Sequence, residues 1–65
     1  MFVRIEEQKD HTVLIIDEID RYLGRMYFDE FVNLINDSKE PMEEKGYLYY
    51  VVDKNELNKR IINGK

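Results

Sequence analysis

The chain has 65 residues, no cysteine and a net charge of −4, from ten Lys and Arg against fourteen Asp and Glu. That length makes a single domain, residues 1–65, and excludes disulfides and thiolate metal sites, so the core comes from hydrophobic burial alone or is shared with a second subunit. The apolar run Val13–Ile16 is too short to span a bilayer, and the first residues lack the basic, apolar and small-residue series of a secretory signal, so a cytoplasmic location is expected.

Charge is unevenly spread. Residues 1–16 carry Arg4 and Lys9 against Glu6, Glu7 and Asp10. Residues 17–44 carry nine acids against Arg21, Arg25 and Lys39, and residues 45–65 carry five bases against Asp53 and Glu56. An acidic middle with a basic end keeps a small protein in solution and leaves its partner open, because phosphate contact requires a local basic face rather than a basic chain.

Along the chain, Phe2-Val3-Arg4-Ile5-Glu6 alternates apolar and polar residues, and Thr12–Ile16 is β-branched and apolar. The polar stretch between them predicts a β-hairpin with His11 at its tip, as a turn residue rather than a metal ligand. From Asp17 to Ser38 the spacing becomes helical. Ile19, Tyr22, Leu23 and Met26 form one stripe, and Phe28, Phe31, Val32 and Ile35 form another. At about 100° per residue the two stripes fall on opposite sides of one continuous helix, which predicts two short helices broken near Gly24 and Arg25. Asp17 would cap the first helix, and Asp29 would lie near the start of the second.

Asn36–Gly46 has loop composition, with the only proline at Pro41. Tyr47–Val52 reads as a strand with Leu48, Tyr50 and Val52 on one face and Tyr47, Tyr49 and Val51 on the other. Asp53-Lys54-Asn55-Glu56 matches a capping box for a last helix, whose narrow apolar stripe is Leu57, Ile61 and Ile62. The expected fold class is therefore α+β: an N-terminal β-hairpin, two short helices, one Tyr-rich strand and a C-terminal helix.

The segment TVLIIDEIDRY resembles the magnesium-holding strand of an AAA+ ATPase, but that chemistry also requires a Gly-rich phosphate loop with a lysine. Gly24, Gly46 and Gly64 belong to no such pattern, so Asp17 and Glu18 read as a strand end leading into a helix start. The parts for other catalytic sites are missing as well: there is no cysteine, one serine and one histidine. The pairs Asp29-Glu30 and Glu43-Glu44 read as solvated faces, so no enzyme activity, cofactor or metal is expected.

Taken in order, DEIDRYLG, FDEFVNLIND, the proline at 41 and GYLYYVVDKNEL resemble the small winged-helix DNA-binding proteins of the excisionase and MerR type. The resemblance covers about two thirds of the chain and implies a second helix that enters the major groove. Here that helix carries Asp29, Glu30 and Asp37, which repel phosphate. On that reading DNA contact falls to Arg25, Asn33, Lys45 and Lys54, with Lys59 and Arg60 anchoring the backbone.

The favoured expectation is a protein-interaction module, a small acidic regulator or inhibitor of the kind phages and mobile elements encode. Asp29, Glu30, Glu43 and Glu44 would steer a basic protein partner, and Tyr47 and Tyr49 would anchor it. Apolar residues on both faces of YLYYVV predict self-association as a homodimer.

Overall fold

A computed structural model describes residues 1–35 and 40–62. It is a mixed α+β fold: β1 (Phe2–Glu7), β2 (Thr12–Asp17), β3 (Tyr22–Tyr27), α1 (Phe28–Ile35), β4 (Met42–Glu44), β5 (Tyr47–Val51) and α2 (Lys54–Arg60). The strands form one antiparallel sheet in the order β3-β2-β1-β5-β4.

The expected N-terminal hairpin is present, with Val3 opposite Asp17 and Glu7 opposite Val13. Asp10 closes its turn by accepting from the Thr12 amide at 3.2 Å and from the Thr12 hydroxyl, and His11 takes a left-handed φ of 66° at the tip. Alternation then sorts the side chains. Val3, Val13, Ile15, Met26, Val52, Phe31 and Leu57 form the buried core, with Ile5, Leu23, Leu34, Ile35, Tyr50 and Ile61 packed against it. Phe31 and Tyr50 meet edge to face, with ring centroids 5.3 Å apart, which ties α1 to β5.

The first of the two expected short helices does not form. Asp17–Arg21 is a tight turn and Tyr22–Tyr27 is strand β3. Asp17 does bind backbone amides, as a helix cap would, but they are those of Ile19 and Arg21 at 3.0 and 2.9 Å, and they close a hairpin. Asp20 takes a left-handed φ of 63°, which turns the chain back. The register shifts between Ile15 and Ile16, so that Ile15 pairs with Gly24 and Ile16 with Tyr22. Leu23 is thus the extra residue of a β-bulge. The bulge brings Leu23 and Met26 to the core while Ile19 and Tyr22 stay exposed, and this mixture imitates helical spacing.

Two further expectations are corrected. The loop expected over 36–46 contains β4, which pairs with β5 around Lys45-Gly46; φ values of 53° and 84° there match the primed two-residue turn that suits a hairpin. All of β4 is exposed, so its composition carries no burial signal. The stripe on α1 is also rotated: Phe31 is buried and Leu34 and Ile35 pack on the core, whereas Phe28 and Val32 face outward. The helical continuation to Ser38 and residue Asp37 lie outside the described residues.

Asp53 caps α2 as expected, accepting from Asn55 and Glu56 amides at 2.8 and 3.2 Å. Glu56 pairs with Lys59 and Arg60 instead of reaching back. The segment after α2 then crosses to β3, where the Ile62 amide donates to the Arg25 carbonyl at 2.7 Å. Gly24 permits this crossing. A Cβ there would lie 2.7 Å from Ile61 Cγ2, and its φ of +153° belongs to a region almost reserved for glycine.

Gly24→Ala combines overpacking with backbone strain and is expected to lower the unfolding free energy by about 1–3 kcal/mol. Gly46→Ala meets open space and is expected to cost less, about 1 kcal/mol from its positive φ alone. Urea denaturation of the two variants beside the parent protein measures the difference.

Candidate protein-interaction surface

Both helices lie on one side of the sheet, with α1 against β2 and β3. The opposite side is open. On it the strand registers align Arg4 with Ile16 and Glu6 with Leu14, then Ile16 with Tyr22, Leu14 with Arg25 and Thr12 with Tyr27. Phe2 is level with Val51 on β5, and Met42 and Glu44 of β4 are level with Tyr49 and Tyr47. The two edges of this face carry large exposed side chains: Tyr22 is 62 % exposed and Tyr27 57 % on β3, Met42 43 % on β4 and Tyr47 48 % on β5. Between them Arg4, Thr12, Ile16 and Tyr49 are buried although no helix covers them.

Arg4 is the charged member of this group. Its guanidinium lies 4.2 Å from the centroid of the Tyr47 ring, donates to Asp20 at 3.2 Å and sits 3.6 Å from Glu6. The charged head is thus held from the turn after β2, from β1 and from β5. Burial works against its charge, but the hydrogen bond to Asp20 and the nearby Tyr47 and Glu6 outweigh it and leave its pKa raised. Sequence reading passed over Arg4, Tyr22, Tyr27 and Met42. The alternation of Phe2, Arg4 and Glu6 already placed Arg4 on the face away from the core, whereas Tyr22 was assigned to a helical stripe and Met42 to a loop.

The other arginines are engaged too. Arg21 Nε is 3.1 Å from Asp17, Arg25 is 3.9 Å from Asp10, and Arg60 is 2.6 Å from Glu30 and 3.8 Å from Glu56. Among the described residues, Glu7, Glu18, Asp29, Glu40, Glu43 and Glu44 stand in no ion pair.

The residues expected to bind a basic partner are therefore divided. Asp29 and Glu30 open α1 directly after β3, with Glu30 held by Arg60. Glu43 and Glu44 are on β4, the opposite edge of the sheet, about 19 Å from β3 at four strand spacings. Alternation turns Glu44 toward the open face with Tyr47, and Glu43 toward the helix side with Leu48, which is exposed because neither helix reaches it. Tyr47 is available; Tyr49 is only 6 % exposed. The DNA-contact residues are scattered as well. Arg25 is on β3, Lys45 in the β4–β5 turn, Asn33 on α1, and Lys54, Lys59 and Arg60 on α2, with Lys59 3.5 Å from Glu56.

Asp17 stands apart from this surface as a structural acid. The Arg21 amide holds its carboxylate below the usual aspartate range against the opposing effect of burial, helped by the Arg21 side chain and the Ile19 amide. Among the described residues no group of three His, Cys, Asp or Glu could hold a metal ion, and no helix is long and apolar enough to cross a membrane.

A depressed carboxylate stabilises the fold above its unfolded pKa, about 3.9, and that contribution is lost as the pH falls through the lower folded value. Thermal melting followed by circular dichroism should thus show Tm falling below about pH 4. In Asp17→Asn, which keeps an amide-accepting oxygen but cannot be protonated, the fall should be shallower, from a lower starting Tm.

No protein-family model matches the chain, and neither a curated protein nor a solved structure is significantly similar to it.

Proposed function

We propose that this protein is an interaction module, a small regulator or inhibitor that binds a protein partner through that partner's basic surface. The distribution of unpaired charge carries the reading. Every arginine among the described residues is within 4 Å of a carboxylate, while Glu7, Glu18, Asp29, Glu40, Glu43 and Glu44 are free. A surface with surplus acid attracts a cationic partner and speeds its encounter.

Apolar side chains beside the free acids supply the contact that follows encounter. Leu48 adjoins Glu43 on the hairpin, and Phe28 and Val32 flank Asp29 on α1. Glu44 with Tyr47 offers a similar pairing on the open face. Duplex DNA is the competing reading. It requires several uncommitted cations on one face, and the candidates Arg25, Lys45 and Lys54 are separated by the width of the sheet and by the helical layer.

Tagged protein is used to capture partners from lysate with and without nuclease, alongside Glu43→Lys, Asp29→Lys and Lys45→Glu/Lys54→Glu. The expected outcome is a nuclease-resistant protein whose capture falls about tenfold in one or both acid reversals, or ~1.4 kcal/mol, and hardly changes in the lysine reversals. Recovery of DNA, lost on reversing Lys45 and Lys54, would replace this reading with the DNA-binding one.

A further inference from the structure

We infer that the open face of the sheet packs against the same face of a second copy of this chain, around a two-fold axis parallel to the strands. The inference does not depend on the identity of the partner proposed above. It begins from rows of side chains across the sheet. One row runs Arg25, Leu14 and Glu6 by direct pairing. Continuing the β1–β5 register of Phe2–Val51 and Val3–Tyr50 brings Glu6 level with Tyr47, and Tyr47 pairs with Glu44. The neighbouring row is Tyr22, Ile16, Arg4, then Tyr49 and Met42 by the same continuation.

Both rows thus have unlike ends, cationic against anionic in one and aromatic against thioether in the other. A two-fold axis along the central strand β1 keeps each row at its own height and exchanges its ends, so β3 of one copy faces β4 of the other. Arg25 then meets Glu44 of the partner subunit, and Tyr22 meets Met42 of the partner subunit. Each contact occurs twice. Leu14 lies over Tyr47 of the partner subunit. A two-fold perpendicular to the strands would instead set Arg25 over β3 and Glu44 over β4, with neither charge matched.

Near the axis Arg4 and Glu6 each lie opposite their own copies, and the pairing of Arg4 with Glu6 at 3.6 Å and with Asp20 at 3.2 Å within each copy offsets these like-charge contacts. Arg25 exchanges its long 3.9 Å contact with Asp10 for the bridge to Glu44 of the partner subunit, and Glu44 stands in no ion pair within its own copy. Sandwiched sheets pack at about −30°, which accommodates their twist.

The size of the face sets the strength. The strands hold 6, 6, 6, 3 and 5 residues, and at about 3.3 Å per residue and about 4.8 Å per strand they give a footprint of about 410 Å² per copy. About 800 Å² in total falls below the standard range of specific interfaces, as expected for a weak dimer that forms only at high micromolar concentrations.

Sedimentation velocity from about 5 to about 500 µM tests this. The parent protein should pass from monomer to dimer across that range. Arg25→Glu and Glu44→Arg should each weaken association at least about tenfold, and the double variant Arg25→Glu/Glu44→Arg, which restores the pairing with signs exchanged, should recover most of it. Glu43→Lys, on the helix side, should dimerise like the parent, so a failure of the partner reading and a failure of this one give different results. Circular dichroism confirms that each variant is folded. A parent that stays monomeric at the highest concentration, a dimer indifferent to the single reversals, or a double variant no better than the singles would overturn the inference. Co-sedimentation with a single-stranded oligonucleotide would assign the aromatic face to nucleic acid and overturn it as well.

Discussion

The approach of Ile61 to Gly24 is the constraint on which the rest of the fold depends. Beyond α2 the chain must cross the helix side of the sheet to reach β3, and it can do so only where a strand residue has no side chain in the way. Once Ile61 fills that place, the Ile62 amide binds Arg25, and the edge of β3 gains a partner. Leu57, one turn before Ile61, is then held against the core. At this chain length every buried apolar group is a large share of the stability, and one close contact links the last helix to the far edge of the sheet.

The two edges of the sheet are protected in different ways. β3 is partly covered by the C-terminal segment, whereas β4 has three residues, follows a proline and carries Glu43 and Glu44. Short, charged, proline-flanked edge strands resist open-ended pairing with other chains. Two copies of β4 laid fully side by side and antiparallel would set Glu43 against Glu43. Acid on this strand therefore discourages edge-to-edge growth.

Much of the fold could be read from the sequence where a single period held. The first hairpin, the two faces of Tyr47–Val52 and the Asp53 cap follow from alternation and capping chemistry, and each is present. Reading failed at Asp17–Met26 because a β-bulge inserts one residue into a period-two pattern and produces spacings of three and four that mimic a helix. Gly24 strengthened the error, since a glycine at a helix end and a glycine under a crossing side chain look alike in sequence. β4 was missed for another reason: a fully exposed strand has no hydrophobic signature, and only the turn at Lys45-Gly46 marked it. The acidic residues were legible as a class but not as a face, because strand order sends Asp29 and Glu43 to opposite edges.

Arg4 shows why the surface should be understood by faces rather than by segments. A charged residue buried at the centre of a sheet face costs stability unless its charge is matched, and Asp20, Glu6 and Tyr47 match it from three different elements. Arg4 lies buried at the middle of the face, between edges that carry exposed aromatic side chains. A face built that way is nearly neutral and suits a surface of similar character. The helix side, where Asp29 and Glu43 are free beside Val32 and Leu48, is net acidic and suits a cationic one. The two faces thus differ in charge and in apolar character, and the two readings proposed above place a second copy on one and a different protein on the other.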